Sequence, residues 1–147
     1  MATVELRFSA LPAHVRTARL VAAAVARRSG VDEAVLDEVR LAVGEACSRA
    51  VHLHRRHCPE TPVMVTLVDD EKAFSVTVTD EAPQGEREDE ASLADLAAAA
   101  DLDSDLDRDP VIPEVGLAVI NGLVEDMAIE PRHDGGVVVR MSWPTSA

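Results

Sequence analysis

Val63-Met64-Val65-Thr66-Leu67-Val68, a polar link Asp69-Asp70-Glu71-Lys72, and Phe74-Ser75-Val76-Thr77-Val78-Thr79 form the stretch that decides the fold. Both apolar runs alternate with the two-residue period of a strand that buries one face, and the link has hairpin length. They are expected to be antiparallel neighbours. Upstream the period changes to that of a helix. Val15, Ala18, Leu20, Val21, Ala24 and Val25 form one apolar stripe, with Pro12 in the first turn and Gly30 after the last. Asp32 offers an N-cap and Glu33 a first-turn charge for a second helix. Its stripe is Val35, Leu36, Val39, Ala42, Val43, Ala46, Cys47, Ala50 and Val51, running to about His54 before Pro59. Before both helices, Thr3-Val4-Glu5-Leu6-Arg7-Phe8 alternates again as a strand.

Downstream, residues 80–109 carry twelve acidic and two basic side chains, net −10 of the chain's −13. Most of this stretch is expected as a flexible, lid-like loop at about 80–112, with a short helix over Ser92 to Ala100. A helical run from Val115 to Val124 follows, then strands over Met127-Ala128-Ile129 and Val137-Val138-Val139-Arg140-Met141, joined through Asp134-Gly135-Gly136. The order is β-α-α-β-β-loop-α-β-β. Strands joined by short hairpins, with helices gathered elsewhere, predict a two-layer α/β sandwich with a mostly antiparallel sheet and its helices on one face.

The chain has 147 residues, 47% of them hydrophobic, which suits a single domain over 1–147 with one core. Aromatic residues amount to 2%, so the core is packed from Ala, Val, Leu and Ile, and base-stacking platforms are not expected. A net charge of −13 also argues against direct nucleic-acid binding, which needs clustered Lys and Arg. Cys47 and Cys58 lack the spacing of a disulfide framework, in keeping with a reducing cytoplasm. No run approaches a membrane span of about 20 apolar residues.

Four segments, in this order, carry a family resemblance. They are Phe8-Ser9-Ala10-Leu11 with Ala18-Arg19, Leu41-Ala42-Val43-Gly44-Glu45-Ala46-Cys47, Val115-Gly116-Leu117-Ala118-Val119-Ile120, and Leu123-Val124-Glu125-Asp126-Met127-Ala128-Ile129. The set resembles the GHKL, or Bergerat-fold (histidine-kinase-like), ATPases. Within them it looks like the small anti-sigma-factor serine kinases. The resemblance implies a cytoplasmic homodimer that holds an alternative sigma factor and releases it to a competing anti-anti-sigma protein. It also implies phosphorylation of that competitor with ATP and Mg²⁺.

Against that family the nucleotide motifs depart one by one. Glu45 matches the acid that acts as general base on the attacking hydroxyl. Four residues on, where the family places a Mg²⁺-binding Asn, stands Arg49, which has five donors and no acceptor and cannot ligate a metal. The plain alternative is an exposed i,i+4 ion pair between Glu45 and Arg49, worth about 0.3–0.5 kcal/mol. Asp80 matches the acid that reads the adenine amino group, yet the glycines expected after it are Ala82 and Gln84, with Pro83 between them. An ordinary turn residue after a strand is the competing reading of Asp80. The lid motif reads Glu114-Val115-Gly116, which sets a carboxylate where triphosphate oxygens would lie. The Thr expected in the last strand is replaced within Val137-Val138. Gly116 and Leu117 complete the expected ligand-binding set with Arg49, Asp80 and Ala82.

Productive ATP–Mg²⁺ binding is therefore expected to be lost or weakened, and kinase activity with it. The guanidinium of Arg49 suits a metal-independent diphosphate, such as that of ADP. The alternative is an active serine-protein kinase acting on the antagonist. Arg19 lies where the resemblance places a partner-binding arginine, and with Arg16, Arg27 and Arg28 it gives the first helix a basic outer side. A solvated face is the plainer account of such residues. The acidic stretch would steer a basic sigma factor or serve only to keep the chain soluble. His52, His54, His57 and Cys58 supply no complete tetrahedral zinc set, and Ser48 adjoins no base that would make it a nucleophile.

Overall fold

The computed structural model describes residues 2–82, 124, 126–133 and 135–145. Five strands form one sheet: β1 (Ala2–Phe8), β2 (Val63–Asp69), β3 (Ala73–Asp80), β4 (Asp126–Pro131) and β5 (Val137–Pro144). Their spatial order is β1-β2-β3-β5-β4, every pair antiparallel, so the expected β2–β3 hairpin is present and the last strand lies inside the sheet beside β3. The expected helices over 92–100 and 115–124, the acidic stretch beyond Ala82, and Gln84, Glu114, Gly116 and Leu117 lie outside the described residues. Val124 alone of that stretch is described, and it is buried in the core.

Helices α1 (Pro12–Ser29) and α2 (Leu36–His57) pack on one face of the sheet. Gly30 ends α1 at a positive φ of 100°, with its N–H on the Arg27 carbonyl and the Val31 N–H on that of Ala26, a turn that satisfies the last carbonyls of the helix. Asp32 does cap, as its residue type suggests, but it caps a single 3-10 turn over Glu33–Val35, accepting the Ala34 N–H at 3.0 Å. The α-helix proper then starts at Leu36.

Small side chains set the helix–helix spacing: Ala18, Ala22 and Ala26 of α1 and Ala42, Ala46 and Ala50 of α2 are essentially inaccessible. Beneath them lie Val63, Val65 and Leu67 of β2, Phe74, Val76 and Val78 of β3, and Val137, Val139, Met141 and Trp143 of β5. Phe74 and Trp143 are direct cross-strand partners, with ring centroids 6.1 Å apart, and they give the aliphatic core its one stacked pair among the described residues. Each buried Val or Leu contributes about 1.5–3 kcal/mol, and the strict alternation on β3 fixes which of its faces is buried.

That row ends on a charge. The buried positions of β3 are Phe74, Val76, Val78 and Asp80, so strict alternation carries a carboxylate onto the core-facing side at the strand's last residue. An unpaired carboxylate there would be prohibitively costly, which makes its partner the first question about the site.

Candidate functional site

The partner comes from α2. Arg49 continues the buried stripe of that helix, seven residues after Ala42 and three after Ala46, and its NH1 donates to Asp80 Oδ2 at 2.9 Å. The two side chains are 3% and 1% exposed. The reading of Glu45 and Arg49 as an exposed helix pair is thereby corrected: the guanidinium is buried, and its carboxylate lies thirty-one residues away on the sheet. Glu45 sits half-buried one turn before Arg49.

The other carboxylate oxygen, Oδ1, accepts the Ala82 N–H at 3.1 Å. Asp80 is thus both a turn residue, as its residue type suggests, and one half of a buried ion pair. Both of its oxygens are engaged by the chain itself. Arg49 keeps one buried donor, Nε, without a partner. Ala82 is fully buried against this turn. Of the two valines considered in the last strand, Val137 is the one opposite Asp80 and buried, while Val138 pairs with Thr79 and faces the other side of the sheet.

A second side chain of α2 holds the same turn. His54 is wholly buried; its Nδ1 lies 2.8 Å from the Thr61 carbonyl oxygen, and its Nε2 accepts the Glu81 N–H at 2.8 Å. Arg49 therefore grips the side chain of the last β3 residue while His54 grips the backbone of the next. From the sheet side, Gly136 packs on this point at a φ of +89°, where a Cβ would overlap the Asp80 carbonyl oxygen. Neither His54 nor Gly136 stood out in the sequence as part of this site. The signals were there: His54 lies four residues past the buried Ala50, and a Gly-Gly pair ahead of a strand marks positive φ.

The α1 arginines separate. Arg16 is exposed, as are Arg27 and Arg28, and Arg27 pairs with Glu33 at 3.1 Å in the open. Arg19 is half-buried and lies across α2 at Gly44, where an added Cβ would fall 2.6 Å from Arg19 Cδ. It is therefore laid against the segment that leads to Glu45 rather than standing free on a solvated face.

Nearby titrating groups set limits on the chemistry. Burial pushes the Cys47 thiol up to about 12, which leaves it protonated and unreactive. His52 is held below the ordinary imidazole range, first by its burial and then by the charges of Arg56, His57 and Arg55. Among the described residues no group of three or more His, Cys, Asp or Glu is placed to hold a metal ion. No described helix is long and apolar enough to cross a membrane.

Known proteins share this architecture. The chain is 28% identical over 142 residues to the serine-protein kinase RsbW of Bacillus cereus (strain G9842), an alignment that covers 95% of this chain and 82% of that one. The enzyme of the same name from Bacillus mycoides (strain KBAB4) is 27% identical over the same span. Among solved structures, that of the RsbU and RsbW domains of Rv1364c from Mycobacterium tuberculosis superposes with a TM-score of 0.64 at 16% identity. It matches 97% of this chain, which spans about a third (32%) of that longer one, and the likeness is one of fold. Residues 8–143 match the family described as the histidine kinase-like ATPase domain, and the chain belongs to that family.

Proposed function

We propose that the chain is an anti-sigma factor with a degenerate nucleotide pocket. In this reading it sequesters an alternative sigma factor through the α1 face that bears Arg16 and Arg19, and yields it to an anti-anti-sigma protein. It works in the cytoplasm as a homodimer. The relatives named RsbW support the general role. The observation that carries the degenerate pocket is the buried Arg49–Asp80 pair: the residue in the metal-binding register is bonded to the residue in the adenine-reading register. A guanidinium cannot ligate Mg²⁺, and an exocyclic amine reaching Asp80 has to share a carboxylate already engaged by Arg49 and by the Ala82 N–H.

The relatives' name, serine-protein kinase, and the presence of Glu45 in register favour the second reading, an active kinase. One experiment separates them. The chain is incubated with radiolabelled ATP, Mg²⁺ and an anti-anti-sigma protein that co-purifies with it, and phosphate on the antagonist is counted. Sigma capture is followed in parallel by co-purification, and oligomeric state by light scattering. The expected result is sigma capture without phosphoryl transfer; stoichiometric, Mg²⁺-dependent labelling of the antagonist refutes the degenerate pocket. Thermal shifts with ADP and ATP, with and without EDTA, test the diphosphate expectation for Arg49.

A further inference from the structure

His54 is bonded at both ring nitrogens to groups of fixed sense. A carbonyl oxygen only accepts, so Nδ1 carries a proton toward Thr61; an amide N–H only donates, so Nε2 is bare toward Glu81. The buried ring is thus the neutral Nδ1–H tautomer. A proton on Nε2 would oppose two N–H dipoles at 2.8 Å, so protonation and the Glu81 bond exclude each other.

We propose that His54 is a proton-sensitive clasp on the segment leaving β3: neutral, it holds the Asp80–Ala82 turn to α2, and protonated, it lets that turn go. The bond joins that of Arg49 to Asp80 as a second side-chain bond from α2 to this turn. The clasp stands on hydrogen-bond geometry and holds whether or not the pocket takes a nucleotide.

Charged and titratable residues flank the ring's contacts along the chain and in the turn beside Gly136. They are Arg49, Arg55 and His57 on α2, Cys58 and Glu60 on the link to β2, Asp80 and Glu81 at the β3 exit, and Arg132 and His133 in the turn that packs on Asp80 through Gly136. Histidine is the residue type whose charge changes near neutral pH, and His57 and His133 are the other two in this set. His57→Gln and His133→Gln therefore serve as controls.

The test reads the clasp directly. Long-range ¹H–¹⁵N spectra at pH 7.5 should show His54 with a protonated Nδ1 and a bare Nε2; the reverse tautomer overturns the proposal. Amide hydrogen exchange, corrected for intrinsic rates, should show protection at Glu81 lower by about tenfold or more at pH 5 than at pH 7.5, with core β3 amides unchanged. Protection that is flat with pH overturns it. His54→Gln, whose amide can donate to Thr61 and accept from Glu81, should keep protection at pH 7.5 and lose its pH dependence, whereas His54→Leu should lose protection throughout. The two wild-type measurements decide the matter even if neither variant folds.

Discussion

Replacing Asp80 with Asn keeps the shape of the side chain and one acceptor while stripping the charge that faces Arg49. The guanidinium is then buried at 3% exposure without a counter-ion. Removing one member of such a pair costs about 3–5 kcal/mol, against about 0.2–1 for an exposed one. For a domain of this size that is a fall in melting temperature of about 10 °C. The assay is urea unfolding at pH 7.5, extrapolated linearly, with Arg27→Met as an internal control because the Arg27–Glu33 pair is 60% and 77% exposed. Arg49→Met should cost as much as Asp80→Asn, since it strands the carboxylate instead. The double replacement Arg49→Met/Asp80→Val, which leaves no buried charge, should be milder than Arg49→Met alone. If Asp80→Asn costs less than about 1 kcal/mol, like the exposed control, the pair is not buried in the sense argued and the reasoning fails.

Gly136→Ala should destabilise by about 2 kcal/mol or more, since it combines a left-handed backbone with an overlap on the Asp80 carbonyl; an unfolding midpoint equal to wild type would refute that packing. Ellman titration of the native chain at pH 8 should consume the half-buried Cys58 and spare Cys47, whose thiol burial has pushed up to about 12, with the second equivalent appearing only in denaturant. Fast reaction of both thiols would contradict it. His52 is held below 6.5 when folded, so the unfolded chain binds more protons there. Its stabilising effect is complete above pH 6.5 and is lost as the pH falls through the folded value, so His52→Gln should flatten the acid slope of stability; an unchanged slope would remove His52 from the account.

Much of this was legible in the sequence because periodicity reports burial. The alternation of Val63 to Thr79 and the stripe from Val35 to Val51 give the sheet, the helices and the faces they turn to one another. The site was harder, because the two residues that define it each look like an exception to a rule on their own strand or helix. Asp80 falls in phase with Phe74, Val76 and Val78, and Arg49 falls in phase with Ala42 and Ala46. A charge in phase with an apolar row signals burial, and two of opposite sign signal a pair. Local spacing pointed Arg49 at Glu45, since neighbours four apart on a helix are close; only the fold brings the last residue of β3 beneath α2. His54 was obscured in the same way. It stood among His52, His57 and Cys58 as one of several metal-ligating types, and nothing short of tertiary structure shows that its two nitrogens are spent on Thr61 and Glu81. The order of β4 and β5 was not legible either, because a hairpin's pairing does not say which of its strands meets β3.

The energetics of the pair bear on any ligand of this pocket. A group that displaces Arg49 from the Asp80 carboxylate leaves that guanidinium buried, forfeiting about 3–5 kcal/mol unless it supplies an anion in exchange. At about 1.4 kcal/mol per tenfold, that weakens a micromolar site to about millimolar. Only a ligand carrying both a donor for Asp80 and an oxyanion for Arg49 escapes the penalty. Arg49→Asn removes the competitor and releases the carboxylate, so it should raise the affinity for an adenine nucleotide while lowering stability without one. Calorimetry on the two proteins with ATP and Mg²⁺ reads both signs. An Arg49→Asn chain that binds no better than wild type would mean that the remaining departures, Ala82 among them, close the pocket by themselves.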